Sequence, residues 1–279
     1  MDKIRVAILG AGTVGTGVYK LINKQADEMI HKVGANIEIA KILVRNKNKT
    51  REGIDSAYLT DNFDDILNDD SINIVVEVMG GIEPANTYIT QALKAKKNIV
   101  TANKDLIASK GHALMELAKE NGCDLLFEAA VAGAIPIIRP LKQCLAGNYI
   151  SEIMGIVNGT TNFILTKMTK EGMDFDEALK IAQDLGYAEA DPTADIEGYD
   201  AARKMAIMAS IAFNTRVTFD DVATEGITKI TAKDIKYAKD MDCTIKLLGV
   251  ARNDGNGIEV MVHPMLISSN HPLATVDRK

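Results

Sequence analysis

The run Gly10-Ala11-Gly12-Thr13-Val14-Gly15 has the form G-x-G-x-x-G. In such a run Gly10 makes a tight turn, Gly12 lets the backbone approach a pyrophosphate, and Gly15 lets a helix pack close to a sheet. It follows an apolar stretch and opens a helical pattern, so Thr13 and Val14 fall at a helix N-terminus, where backbone N–H groups favour phosphate charge. Outside that context the same glycines would be a strand–helix turn without a ligand. Arg45, in Leu43-Val44-Arg45-Asn46-Lys47-Asn48-Lys49, stands at the end of the second strand. An acidic residue there would hold a ribose 2′-hydroxyl; a guanidinium suits a 2′-phosphate and favours NADP over NAD. Lys47 and Lys49 read as solvated loop charges, and the sequence does not decide whether NAD is accepted as well.

Two further segments carry chemistry. Thr101-Ala102-Asn103-Lys104 ends a strand of the same pattern, and ligands of open α/β sheets bind outside the carboxyl ends of strands, so Lys104 is placed to reach a nicotinamide and its reaction partner. The stretch from Gly186 to Lys204 holds Glu189, Asp191, Asp195, Glu197 and Asp200 and then runs into the apolar helix pattern Met205-Ala206-Ile207-Met208-Ala209. Asp200 and Lys204 share a helix face. By spacing alone they are an ordinary surface pair worth about half a kcal/mol. Delivered by an acidic loop to the start of an apolar helix, they suit proton transfer near neutral pH instead.

These residues need an α/β scaffold. Strands are expected over 4–9, 37–44, 74–78, 98–101 and 125–128, alternating with helices over 14–31, 85–95 and 113–121. Near-continuous apolar strands separated by helices imply a doubly wound parallel sheet of Rossmann type. After about residue 135 the rhythm changes to a strand at 150–157, helices at 160–170, 175–185 and 201–213, and two strands at 245–251 and 258–266 joined by Asn253-Asp254-Gly255-Asn256-Gly257. The expected division is therefore a nucleotide-binding domain over 1–135 and an α+β catalytic and dimerisation domain over 136–279.

The composition sets limits on function. The 279 residues are 47% hydrophobic and 25% charged, enough to bury a core, with a formal net charge of −6. That charge argues against general binding to nucleic acid or anionic membrane. No apolar run approaches the roughly 18 residues of a membrane span, and Met1-Asp2-Lys3 leads straight into a strand rather than a secretory signal. Cys123, Cys144 and Cys243 are scattered, as are His31, His112, His263 and His271, which fits a reducing cytoplasm and suggests neither a disulfide framework nor a structural zinc site.

Taken in order, Gly10 to Gly15, Thr101 to Lys104, Asn158-Gly159-Thr160-Thr161-Asn162-Phe163 and Gly186 to Lys204 resemble homoserine dehydrogenase over nearly the whole chain. The resemblance implies NADP-dependent, reversible reduction of L-aspartate 4-semialdehyde to L-homoserine, in threonine, methionine and isoleucine biosynthesis. It makes Lys204 the proton donor, puts Lys104 beside the nicotinamide and the reacting carbonyl, places Thr101 and Gly186 at the cofactor, and assigns Glu189 and Asp200 to the substrate with Asp195 close by. Asn158 to Phe163 lines the site; read on its own it is a capped helix start. Glu128-Ala129-Ala130-Val131-Ala132-Gly133-Ala134-Ile135-Pro136 resembles the family's structural sodium site, formed by Glu128 and the main-chain carbonyls of Val131, Gly133 and Ile135. Read without the family, it is a strand-end loop with a buried or paired glutamate.

The resemblance also implies a homodimer formed through the second domain's sheet; light scattering that returned a single 30.2 kDa protomer at micromolar concentration would remove it. The family's catalytic domain continues past His271-Pro272-Leu273-Ala274-Thr275-Val276, whereas this sequence stops at Asp277-Arg278-Lys279, so it reads as shortened at that end. Two alternatives stay open from the sequence: a dehydrogenase of another amino or hydroxy acid, and a nucleotide-binding fragment with impaired catalysis.

Overall fold

Val6, Ala7, Ile8 and Leu9 are buried at the centre of β1 (Lys3–Leu9), the strand on which the first sheet is organised. The structure, a computed structural model, describes residues 3–277; residues 1–2 and 278–279, the outer ends of the two expected domains, lie outside the described residues. From β1 the chain runs through α1 (Thr13–Lys24), α2 (Ala26–Val33), β2 (Asn36–Leu43), β3 (Leu59–Thr60), α3 (Asp64–Leu67), β4 (Ile72–Glu77), α4 (Ala85–Lys94), β5 (Asn98–Thr101), α5 (Lys104–Glu120) and β6 (Leu125–Leu126). All pairings are parallel and the strand order is β3-β2-β1-β4-β5-β6. The order reverses between β1 and β4, and a crevice for a ligand opens at such a switch point, at the carboxyl ends of the strands. Ile89 and Leu93 of α4 and Leu106 of α5 are fully buried, as expected of helices covering a parallel sheet.

Several elements depart from expectation for identifiable reasons. The single helix expected over 14–31 is two, broken at Gln25, whose φ of −112° and ψ of 22° leave the helical region. Lys24 closes α1 and Asp27 and Glu28 open α2, the charge order that helix dipoles favour at an end followed by a start. The helix expected from 113 begins at Lys104 instead, capped by Asn103, whose side chain accepts from the Leu106 N–H. Gly111 lies inside it and is buried, and a Cβ there would meet Ile107 at 3.2 Å. The last strand stops at Leu126, and Glu128 lies in a short 3-10 turn, Glu128–Ala130.

The chain divides into two compact units, one up to Pro136 and one from Ile137. The second comprises β7 (Glu152–Gly155), α6 (Gly159–Glu171), α7 (Phe175–Asp184), α8 (Thr193–Ile196), α9 (Tyr199–Ala212), β8 (Ala223–Thr224), α10 (Ala232–Asp240), β9 (Cys243–Asn253) and β10 (Ile258–Ser268). Its sheet has the order β7-β9-β10-β8, antiparallel except where β8 joins β10. The turn between β9 and β10 is built as its residues demand: Asp254 accepts from the Asn256 and Gly257 N–H groups at 2.9 Å, and Gly255 takes φ +86°. α9 packs against this sheet, with Met205 so close to Gly249 that a Cβ there would lie 2.4 Å from its sulfur. α10 was not foreseen because Ile235 and Ala238 are its only buried residues, too few for a visible period. A Thr231–Asp234 capping box starts it.

Candidate functional sites

In the first unit the glycine loop takes the geometry its sequence requires. Gly10 has φ +108° and its N–H reaches Leu43 O at 3.0 Å. A Cβ on Gly15 would stand 2.0 Å from Gly10 O, whereas one on Gly12 would meet nothing within 4 Å. Gly15 is thus demanded by helix–strand packing. Gly12, the N-cap of α1, has room for a Cβ among the described residues, and the space beside it is what a pyrophosphate needs. No side chain caps α1 and its first turn carries no acidic residue, so the N–H groups at Thr13 and Val14 remain suited to an anion. The donor set therefore fits a dinucleotide.

Arg45 is exposed just beyond β2. Its loop is ordered by others: the Arg51 guanidinium donates to Asn46 O at 3.1 Å and Lys49 O at 2.8 Å. Lys47 pairs with Asp61 at 3.0 Å and holds that carboxyl below its ordinary range. Arg45 is left as the guanidinium suited to a ligand at this strand end. Thr101 is the last residue of β5, buried, and Lys104 the first of α5.

In the second unit the sequence candidates converge. The Lys204 ammonium donates to Asp200 Oδ2 at 2.6 Å and to Val157 O at 2.9 Å. The side chains of Lys204 and Asp200 are only 19% and 9% exposed, so this is not the surface pair that spacing alone allowed. Asn158, just after β7, gathers the cluster. Its Nδ2 donates to Asp195 Oδ1 at 2.7 Å and to Asp200 Oδ2 at 2.9 Å, while its Oδ1 accepts from Thr161 N–H at 2.8 Å and caps α6. Both amide hydrogens go to carboxylates, so Asn158 sets the spacing of the two aspartates. The sequence reading gave it no more than a lining role; its N-x-x-T cap was legible, its reach across 37 and 42 positions was not.

The other acidic residues separate by role. Asp191 is occupied locally, accepting from Thr193 N–H and Oγ1, and the hydroxyl lowers its pKa. Glu189 is exposed, and among the described residues its side chain makes no hydrogen bond to the Asp195–Asp200–Lys204 cluster. Gly186 ends α7 with φ +72°, a conformational demand independent of any ligand.

At the end of the first unit Ala132 and Ala134 both adopt left-handed φ, 48° and 67°. The Ala132 carbonyl accepts from Ile135 N–H at 2.8 Å. Among the described residues no main-chain N–H donates to the carbonyls of Val131, Gly133 or Ile135. These oxygens fit a hard cation chemically.

A parallel sheet of Rossmann order with a complete glycine loop at the end of its first strand is the build of dinucleotide-binding proteins. The sequence model of the homoserine dehydrogenase family matches residues 136–279, and that of its NAD-binding domain matches residues 10–128. The chain belongs to the homoserine dehydrogenase family. It is 51% identical over 277 residues to homoserine dehydrogenase of Bacillus subtilis, covering 99% of this chain and 64% of that protein. The crystal structure of a homoserine dehydrogenase from Thiobacillus denitrificans superposes with a TM-score of 0.95 at 46% identity, covering 100% of this chain and 64% of that one. A hyperthermophilic archaeal homoserine dehydrogenase in complex with NADPH superposes with a TM-score of 0.80 at 27% identity, covering 97% of this chain and 84% of that one. This chain thus spans about two thirds or less of the length of the first two. Among the described residues no helix is long and apolar enough to cross a membrane.

Proposed function

We propose that this chain carries the chemistry of homoserine dehydrogenase, the NADP-dependent interconversion of L-aspartate 4-semialdehyde and L-homoserine. The observation that carries this reading is the Lys204 ammonium, half-enclosed and oriented by Asp200 and the Val157 carbonyl. An ammonium has three donors, and these two bonds use two of them. The third is available to the aldehyde oxygen, where it stabilises the negative charge that develops on reduction and then supplies the proton. Bound nicotinamide supplies the hydride.

Asp200 holds Lys204 in place, and Asp195, set apart from it by Asn158, adds a carboxylate suited to the substrate's ammonium group. Glu189, exposed on the same acidic loop, is a further carboxylate for that group. Lys104, at the start of α5 beside the carboxyl end of β5, is assigned to the nicotinamide and the reacting carbonyl, with Thr101 and Gly186 at the cofactor. The reading is tested by substrate-dependent NADPH oxidation, described with Lys204 in the Discussion.

Arg45 is read as the 2′-phosphate ligand. Arg45→Ala should weaken NADPH about tenfold or more, on the scale of about 1.5–3 kcal/mol for a hydrogen bond to a charged group, and leave NADH nearly unaffected. Titration of both dinucleotides by fluorescence checks this; an equal loss for the two would mean Arg45 does not read the phosphate.

The carbonyls of Val131, Gly133 and Ile135, together with Glu128, are read as a sodium site of structural role. Exchanging sodium for choline should then lower the thermal midpoint, by linkage to a ligand that binds only the folded state. A midpoint indifferent to sodium over a wide concentration range would remove the site.

A further inference from the structure

Glu77 ends β4 and is 0% exposed. Its Oε1 accepts from Met79 N–H at 2.8 Å and its Oε2 accepts from the Thr101 hydroxyl at 2.7 Å. The Thr101 oxygen in turn accepts from Asn103 N–H at 3.0 Å. Asn103 is itself buried; its Nδ2 donates to Gly81 O at 2.6 Å and its Oδ1 accepts from Leu106 N–H at 3.1 Å. One run of side chains therefore ties the loop after β4 to the loop after β5 and to the first turn of α5.

A carboxyl group buried at such a place is costly unless its hydrogen bonds are made, and an apolar residue in its place would leave the Met79 N–H and the Thr101 hydroxyl without this acceptor. What the carboxylate provides is direction. It orients the Thr101 hydroxyl, the hydroxyl holds the Asn103 backbone, and Asn103 presents the next residue, Lys104. Both loops lie at the carboxyl edge of the sheet, the one after β4 at the β1–β4 switch point and the one after β5 one strand further out.

We propose that Glu77 is a positioning residue, which through Thr101 and Asn103 locks the loops after β4 and β5 into one platform and so fixes where Lys104 stands. The functional part rests on the reading of Lys104 given above; the platform itself does not.

Thr101→Val removes the hydroxyl while keeping the shape, Thr101→Ser keeps the hydroxyl, and Glu77→Gln replaces one acceptor oxygen by a donor. Each is made in the 279-residue chain and followed by amide hydrogen exchange and by turnover with NADPH and L-aspartate 4-semialdehyde. Thr101→Val and Glu77→Gln are expected to speed exchange in 78–81 and 101–106 about tenfold with the rest of the first unit unchanged. They should lower kcat about ten- to a hundredfold, a larger factor than any rise in the KM for NADPH. Thr101→Ser restores both, and the Glu77→Gln/Thr101→Val pair is no worse than the poorer single variant, because both break one network.

Unaltered exchange in Thr101→Val, a kcat per folded molecule equal to wild type, or Thr101→Ser as poor as Thr101→Val would each overturn the proposal. Should Glu77→Gln fail to fold, the two threonine variants decide alone. Should the wild-type chain lack turnover, the exchange data still decide whether the platform exists, and the failure belongs to the reaction assigned to the chain.

Discussion

Lys204→Met should reduce the turnover of L-aspartate 4-semialdehyde by about 10²–10⁴-fold, the range that a positioned proton donor contributes, while NADPH binds as before. Methionine keeps the length and apolar stem of the lysine, so α9 retains its packing around Met205 and Ala206. Asp200 Oδ2 still accepts from Asn158 Nδ2, which limits the damage to the carboxylate left behind. The loss should therefore appear in kcat per folded molecule, alongside a lowered denaturation midpoint, because Asp200 and the Val157 carbonyl lose their shared donor. The measurement is NADPH oxidation by the wild-type chain and the variant side by side, with NADPH affinity determined separately. Turnover abolished in the variant supports the assigned reaction. Equal rates in both would remove Lys204 as the donor. A wild-type chain that binds NADPH and turns over nothing acts as a nucleotide-binding fragment, and turnover of a different carbonyl substrate would reassign the chemistry to another dehydrogenase.

The parts of the site that were legible in the sequence are those whose reason is local. The glycine loop announces itself because its three glycines fall within six positions and directly follow the apolar run Val6-Ala7-Ile8-Leu9. The Asp200–Lys204 pair was legible as a spacing at the start of an apolar helix, but the groups that enclose it were not, since Val157 and Asn158 arrive from the loop after β7. Asn158 could be recognised as a helix cap, a role set by its neighbour Thr161. Its second role, holding Asp195 and Asp200 apart, is tertiary and leaves no periodic trace. Glu77 is the opposite case: an acid closing the apolar run Ile74-Val75-Val76 is a visible irregularity, yet nothing nearby in sequence names Thr101 as its partner. The fold followed the same rule. Parallel strands and the β9–β10 turn were readable from composition and turn residues. The two-residue strands β3 and β8, with too few positions to show an alternation, were not.

Two glycines of one motif should fail in opposite ways when each is changed to alanine. Gly15→Ala puts a Cβ 2.0 Å from the Gly10 carbonyl oxygen, backbone against backbone, so no side chain can turn aside to relieve it. α1 must move off β1, and the unfolding free energy should fall by about 3 kcal/mol, at or beyond the upper end of ordinary overpacking. Gly12 has φ −79° and ψ −163°, an extended conformation that alanine adopts without strain, and its Cβ would meet no protein atom within 4 Å. Gly12→Ala should therefore unfold at nearly the wild-type midpoint. Its methyl group would occupy the space through which the backbone approaches the pyrophosphate, so NADPH should weaken by about tenfold or more, at least 1.4 kcal/mol or so. Thermal or urea unfolding without ligand, followed by NADPH titration of each variant, separates the two effects. Unchanged NADPH affinity in Gly12→Ala would show that the phosphates do not lie against this turn, and unchanged stability in Gly15→Ala would contradict the packing of α1 on β1. The pair thus distinguishes a glycine required by the fold from a glycine required by the ligand, a distinction that the motif alone cannot make because both are written with the same letter.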